Sequence, residues 1–155
     1  QGNADIRGRV TFDRIWTSAP TKTCEAGDGL LTVRAPVGYT AIASKRSCLG
    51  RGVCSISADH DNRFIFHALM YAEPAWALYE QGSTFTAVNS NVVRSFALFW
   101  PADPDERQAI ARVLDVTDKE LASLQARLAK ARSIKSGMMQ QLLTGRTRLP
   151  VEVES

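Results

Sequence analysis

Cys48, Cys54, His60 and His67 could in principle bind a metal or build a nucleophile, and they fall in one stretch of the chain. Zinc sites draw their ligands from tight pairs, two to four residues apart. Here five residues separate Cys48 from Cys54, and five separate Cys54 from His60, a spacing that fits no such site. A Cys–His nucleophile needs its base held against the thiol, and nothing in this order of residues points to that. His67 is expected on the face of a core helix. No GxxxxGK[ST] phosphate loop is present, and "GRG" at 50–52 is too short to cradle a nucleotide. A methyltransferase would need a Gly-rich turn after a strand, and none is visible. We therefore expect no catalytic residue, no metal and no cofactor.

A second chemical question sits in "LLTVRAPVG", residues 30–38. Pro36 removes a backbone donor, the residues before it are biased to extended geometry, and Gly38 permits a positive φ. This hinge ends a strand at a fixed point. Arg34 is then either buried against a carboxylate such as Asp28 or presented to an anion, and a structural role is the expectation.

The remaining chemistry is charge. The net charge is +3, and residues 1–103 are nearly balanced, with ten basic and nine acidic side chains. Between Leu121 and Leu149 the chain has six basic residues (Arg127, Lys130, Arg132, Lys135, Arg146, Arg148) and no acidic one. Such a stripe is either a solvated helix face or a surface for phosphates.

The elements that must position these groups divide into two textures. From Ile6 to about Ile56, short β-like runs ("RVTF", "LLTV", "YTAIAS", "GVCSIS") alternate with turn signals such as "EAGDG". From Asn62, "NRFIFHALMYAEPAWALYEQ" has helical spacing, with Pro74 expected to interrupt it. "GSTFTAVN" reads as strand or loop, "SNVVRSF" as a turn of helix and "FALFWP" as a short buried strand. After Pro104 one long helix is predicted, to about Leu143. Its first turn is acidic, Gly137 is a weak point and Gly145 a stop.

Apolar or small residues recur along that helix at Ile110, Leu114, Thr117, Leu121, Leu124, Leu128, Ala131, Met138 and Leu142. Up to Ala131 the steps alternate between four and three, the seam of a coiled coil, and at Lys135, beside Ile134, the register can shift. Forty helical residues would form a rod of roughly 60 Å, too long to bury its seam alone, so a partner helix is expected. The fold class is thus α+β: a β-rich part over 1–103, then a long coiled-coil-forming helix and short tail over 104–155.

With 155 residues, 45% of them hydrophobic and 23% charged, the composition is that of an ordinary globular domain. No run reaches the ~18 apolar residues of a membrane span. The chain opens on Gln1 without a charged-then-apolar leader, so a processed or truncated, intracellular chain is expected. Three cysteines at unpatterned spacing fit a reducing compartment, the cytoplasm.

"GDGLLTVRAPVG" followed by "CLGRGV" closely resembles the target recognition domain of type I restriction–modification specificity subunits, where G-D-x-L-L-S-V-R-A-P-V-G precedes a G-R-G turn. "QGNAD" resembles the family's polar segment before its central strands, and "GSTFTAVN" its G-S-T-F-x-x-I-N. The segment from "PDERQ" to "LLTGRTRL" is similar to its conserved distal helix. Two departures stand out. The family reads P-L-P-P-L-x-E-Q before the helix, whereas this chain has "FWPADPDERQ", with Arg107 where Gln is expected. The family's recognition domains also begin upstream of "QGNAD" and come in pairs, so a truncated half-subunit is expected.

The resemblance implies a non-catalytic protein that binds one half of a bipartite double-stranded DNA site and docks modification subunits, with restriction subunits in the full complex. Base-edge or phosphate contacts would come from polar and basic residues near strand ends: Lys45, Arg46, Arg51, Ser83 and Thr84. The family pairs its two conserved helices antiparallel, so a chain with one would pair with a second copy. The rival classes are a coiled-coil interaction protein (a remnant) without DNA binding, and a small enzyme with a dispersed site.

Overall fold

The computed structural model describes residues 2–80 and 88–150. Contacts divide the chain into two compact units, Gln1–Arg112 and Val113–Ser155.

The first unit is built on seven short strands, all between Ile6 and Ile56 as the alternation predicts: β1 (Ile6–Arg7), β2 (Val10–Thr11), β3 (Thr23–Cys24), β4 (Gly29–Thr32), β5 (Thr40–Ile42), β6 (Ser47–Cys48) and β7 (Val53–Ile56). Five form one sheet in the order β1-β2-β5-β4-β7, antiparallel except for the β2–β5 pair, while β3 and β6 form a separate antiparallel pair. β4 lies between β5 and β7, and all four of its residues are buried.

Period-two geometry sends consecutive side chains of β4 to opposite faces. Leu30 packs with Cys24, Ala41, Ala43, Leu49 and Val53, whereas Leu31 packs with Val37 and Trp76. Two adjacent leucines therefore seed two cores, one on each face of the sheet.

Helix α1 (Asn62–Glu80) packs against β4 and β5. Its Ile65 and Leu69 meet Gly29, where an added Cβ would stand 3.1 Å from Ile65 Cγ2. His67 is buried on this helix, in edge contact with Phe66. Pro74 does not interrupt α1, contrary to the sequence expectation. A proline inside a helix costs about 3 kcal/mol. Continuing the helix, however, keeps Trp76, 1% exposed, in the second core, and the burial of so large a side chain offsets much of that cost.

The hinge after β4 is held by Thr32. Its hydroxyl donates to Pro36 O at 2.5 Å and accepts from Tyr39 N–H at 2.9 Å, and its backbone bonds Gly38 N–H and Tyr39 O. The Ala35–Pro36 peptide is cis, and Gly38 takes the positive φ foreseen for it, +86°. Arg34, by contrast, is exposed. Asp28, its expected partner, accepts instead from Glu25 N–H and Asn62 Nδ2. β4 ends two residues before Arg34, whose side chain lies at the exposed rim rather than in the core.

"FALFWP" is another correction. No strand forms there, and Phe99 is 82% exposed. Its other two aromatics act singly instead, each packing on an aromatic of α1. Phe96 stacks on Trp76 at 4.0 Å between ring centroids, and Trp100 meets Phe64 edge-on at 5.3 Å. Helix α2 (Ser90–Ser95) precedes this segment and is capped by Asn89, whose side-chain oxygen accepts from Asn91 and Val92 N–H.

Helix α3 runs unbroken from Pro104 to Leu143, the predicted bounds, with Gly137 inside it. Asp103 accepts from Asp105 N–H at its start. At its end Gly145 adopts φ +72° and donates to Leu142 O. The "GSTFTA" part of the strand-or-loop reading, with Ser83 and Thr84, lies outside the described residues.

Candidate nucleic-acid interface

Within the first unit the start of α3 is fixed by Arg107, 8% exposed. Its guanidinium bonds Asp61 Oδ2 through Nε (2.8 Å) and Nη2 (2.7 Å). Nη1 donates to the carbonyls of Pro101 (2.6 Å) and Ala102 (3.0 Å), and the group lies over the Trp100 ring. The position that departs from the family pattern is thus a buried, hydrogen-bonded ion pair. A second arginine, Arg9, ties the hinge to α1: it pairs with Glu73, donates to Thr40 O and lies over Tyr39, while Glu73 also accepts from Thr40 N–H.

Among the described residues, two clefts of this unit bear on charge. The first, about 620 Å³, is bordered by Asp5, Asp13, Arg14, Trp16, Lys45 and Arg46. Its cations are matched by carboxylates. Lys45 bonds Asp13 and lies over the exposed Trp16 ring, Arg14 Nε meets Asp5 at 2.6 Å, and Arg46 Nε lies 3.2 Å from Glu25. Burial alone would raise the Asp5 pKa, but the Arg14 hydrogen bond and charge and the Gly2 N–H together hold it below the ordinary carboxylate value.

The second cleft, about 970 Å³, has a different balance. Lys22, Arg51 and Arg94 line it with Asn89 and Cys54, and among the described residues no acidic one is in its walls. Cys54 donates weakly to Leu31 O, and burial pushes its thiol above the ordinary value. Burial raises Cys24 likewise. Neither thiol is therefore an activated nucleophile at neutral pH. Of the predicted site residues, Lys45 and Arg46 meet at the first cleft and Arg51 stands at the second. Lys22 and Arg94, which the sequence does not single out, also line the second cleft. One precedes a two-residue strand and the other lies on a one-turn helix, so no local motif marks them.

In the second unit, the seam residues Leu121, Leu124, Leu128 and Met138 are each about half exposed. Thr117 turns its hydroxyl back to Val113 O, leaving its methyl on the seam. Near the end, Ala131, Ile134, Met138, Met139 and Leu142 line an apolar groove that Lys135 also borders. Ile110 is only partly buried and stands beside buried Ala111 in the first unit.

The chain belongs to the type I restriction modification DNA specificity domain family, which matches residues 17–132. Among curated relatives, it is 31% identical over 153 residues to the type I restriction enzyme MjaX specificity subunit of Methanocaldococcus jannaschii, covering 96% of this chain and 36% of that protein. Among solved structures, it is similar to the HsdS subunit from Thermoanaerobacter tengcongensis, with 26% identity and a TM-score of 0.70 over 90% of this chain and 35% of that one. It is also similar to a chain from a study of complex assembly and conformational transition of the type I R-M system, with 29% identity, a TM-score of 0.75, and the same two coverages of 90% and 35%. The chain therefore spans about a third of the length of these proteins. Among the described residues no helix is long and apolar enough to cross a membrane.

Proposed function

We propose that this chain is a non-catalytic sequence-recognition module of a type I restriction–modification system, acting in the cytoplasm. The first unit binds one half of a bipartite double-stranded DNA site. Lys45, Arg46 and Arg51, with Ser83 and Thr84, supply contacts to base edges or phosphates. The chain docks modification subunits, and restriction subunits join in the full complex. The observation that carries this reading is the family match over residues 17–132, which takes in β3 to β7, α1, α2 and most of α3. The exposed cations at strand ends supply the electrostatic term that such binding needs.

The seam of α3 is proposed to pair with a second copy of the chain, antiparallel. That direction sets the acidic end (Asp105, Glu106, Asp115, Asp118, Glu120) against the basic end (Arg127, Lys130, Arg132, Lys135) of the mate. A parallel pair would align like charges, which coiled coils disfavour. A twofold contact is self-complementary.

The test is binding of labelled duplexes by the full chain together with its modification subunits, over a salt series. Affinity should fall steeply with salt, and Lys45→Ala and Arg46→Ala should weaken binding on all sequences alike. No duplex binding at low salt with the partners present would overturn the reading in favour of a coiled-coil interaction protein.

A further inference from the structure

The two clefts differ in one respect that bears on DNA. In the first, Arg14, Lys45 and Arg46 each face a carboxylate. A phosphate approaching there meets a nearly neutral wall and must displace Asp5, Asp13 or Glu25. In the second, Lys22, Arg51 and Arg94 are all exposed, and no carboxylate of the described residues pairs with any of them. A concave surface lined by one sign of charge focuses its field and gathers counter-ions. Asn89 adds to this. Its side-chain oxygen is committed to the α2 cap, so the group it has left at the cleft is its amide N–H₂, a donor. Every polar feature named here suits an acceptor-rich, anionic ligand.

We infer that this second cleft is the phosphate-contact surface of the module: Lys22, Arg51 and Arg94 neutralise backbone phosphates of the duplex, and Lys45 and Arg46 contribute less because each must first leave its carboxylate. The inference rests on the DNA-recognition reading above and adds Lys22 and Arg94 to it. Contacts of this kind carry no sequence information. They fix how the module sits on the duplex, and base discrimination falls to other groups.

Each neutralised phosphate contributes about 0.9 to the slope of log K against log salt. The experiment uses the full chain together with its modification subunits and a fluorescein-labelled duplex of mixed sequence, with anisotropy titrations from low to physiological salt. Three proteins are compared: the wild type, the triple variant K22A/R51A/R94A, and the triple variant R14A/K45A/R46A. All six positions are surface side chains, and a thermal melt of each variant verifies the fold. The second-cleft variant should bind more weakly, with a slope about 2–3 units shallower, and the first-cleft variant should lose less than half as much. A steep wild-type slope that K22A/R51A/R94A leaves unchanged, or that R14A/K45A/R46A flattens as much, would overturn this assignment alone. With the modification subunits present, a wild-type complex without salt-dependent binding would overturn the DNA reading and the assignment with it.

Discussion

Gly38 and Trp76 approach so closely that a Cβ at position 38 would lie 2.3 Å from Trp76 Cβ, at a backbone φ of +86°. Space and conformation both require glycine there. Gly38→Ala should lose about 2–4 kcal/mol, the sum of a positive-φ penalty and an overpacked core. Gly8, at φ +53° with nothing within 4 Å, provides the control. Gly8→Ala should cost only about 1 kcal/mol. Denaturant midpoints of the two variants measure the difference, and equal losses would mean that Trp76 gives way.

Arg107 and Asp61 should behave as a coupled pair. Arg107→Ala leaves a buried carboxylate facing no cation and should cost about 3–5 kcal/mol. Changing both residues, Arg107→Gln with Asp61→Asn, removes both charges. The double variant should therefore be more stable than the two single losses added together predict, by at least about 1 kcal/mol. Additive losses in a double-mutant cycle would contradict a direct pair.

Asp5 supplies a pH signature. Its native carboxyl titrates below the ordinary value of 3.8, so its ionised form stabilises the fold. That contribution is fully present above the unfolded-state value and is lost as pH falls through the native one. Asp5→Asn should lower the melting temperature modestly at neutral pH, and the gap to the wild type should close in acid. A gap that persists at the acid end would point to packing instead.

The thiols of buried Cys24 and partly buried Cys54 titrate above their ordinary value of 9.0. The protonated thiols fit their sites, so the fold should be undisturbed by them below that pH and weakened as it rises further. Iodoacetamide at neutral pH should modify Cys54 in the native chain much more slowly than in urea. Rapid native labelling would show an activated thiolate.

The antiparallel pairing proposed for α3 is tested by crosslinks. The seam from Ile110 to Leu142 centres near Ala126, which sets Leu114 of one copy opposite Met138 of the other. A mixture of Leu114→Cys and Met138→Cys chains should form disulfide-linked heterodimers under mild oxidation, while each alone should crosslink poorly. Efficient Leu114→Cys homodimers would indicate parallel helices, and a monomer at high concentration would remove the pairing altogether.

The sequence made visible what is encoded locally. α3 begins and ends at Pro104 and ahead of Gly145 because helix boundaries are set by signals within one turn. β2, β4, β5 and β7 were legible because their runs alternate, whereas β1, β3 and β6, two residues each, carry too short a pattern to mark them. What was misread depends on partners distant in the chain. Pro36 fixes the backbone near Arg34 but not whether water reaches the side chain. The apolar run at 96–100 reads as a strand, but two of its rings pack singly on aromatics of α1. Asp61 and Arg107 stand 46 residues apart, and Lys22, Arg51 and Arg94 converge only through the fold.

The Asp61–Arg107 pair also determines where such a module can be exchanged. The prolines at 101 and 104 look like a natural seam for recombination, but a crossover there would part Asp61 from the arginine it faces and remove buried Ala111 from the body it packs with. A recipient helix carrying glutamine at that position would leave Asp61 buried without its cation. Grafts joined beyond Arg112 would carry the pair together, so viable chimaeras of recognition modules should cluster their junctions inside the long helix rather than at the prolines before it.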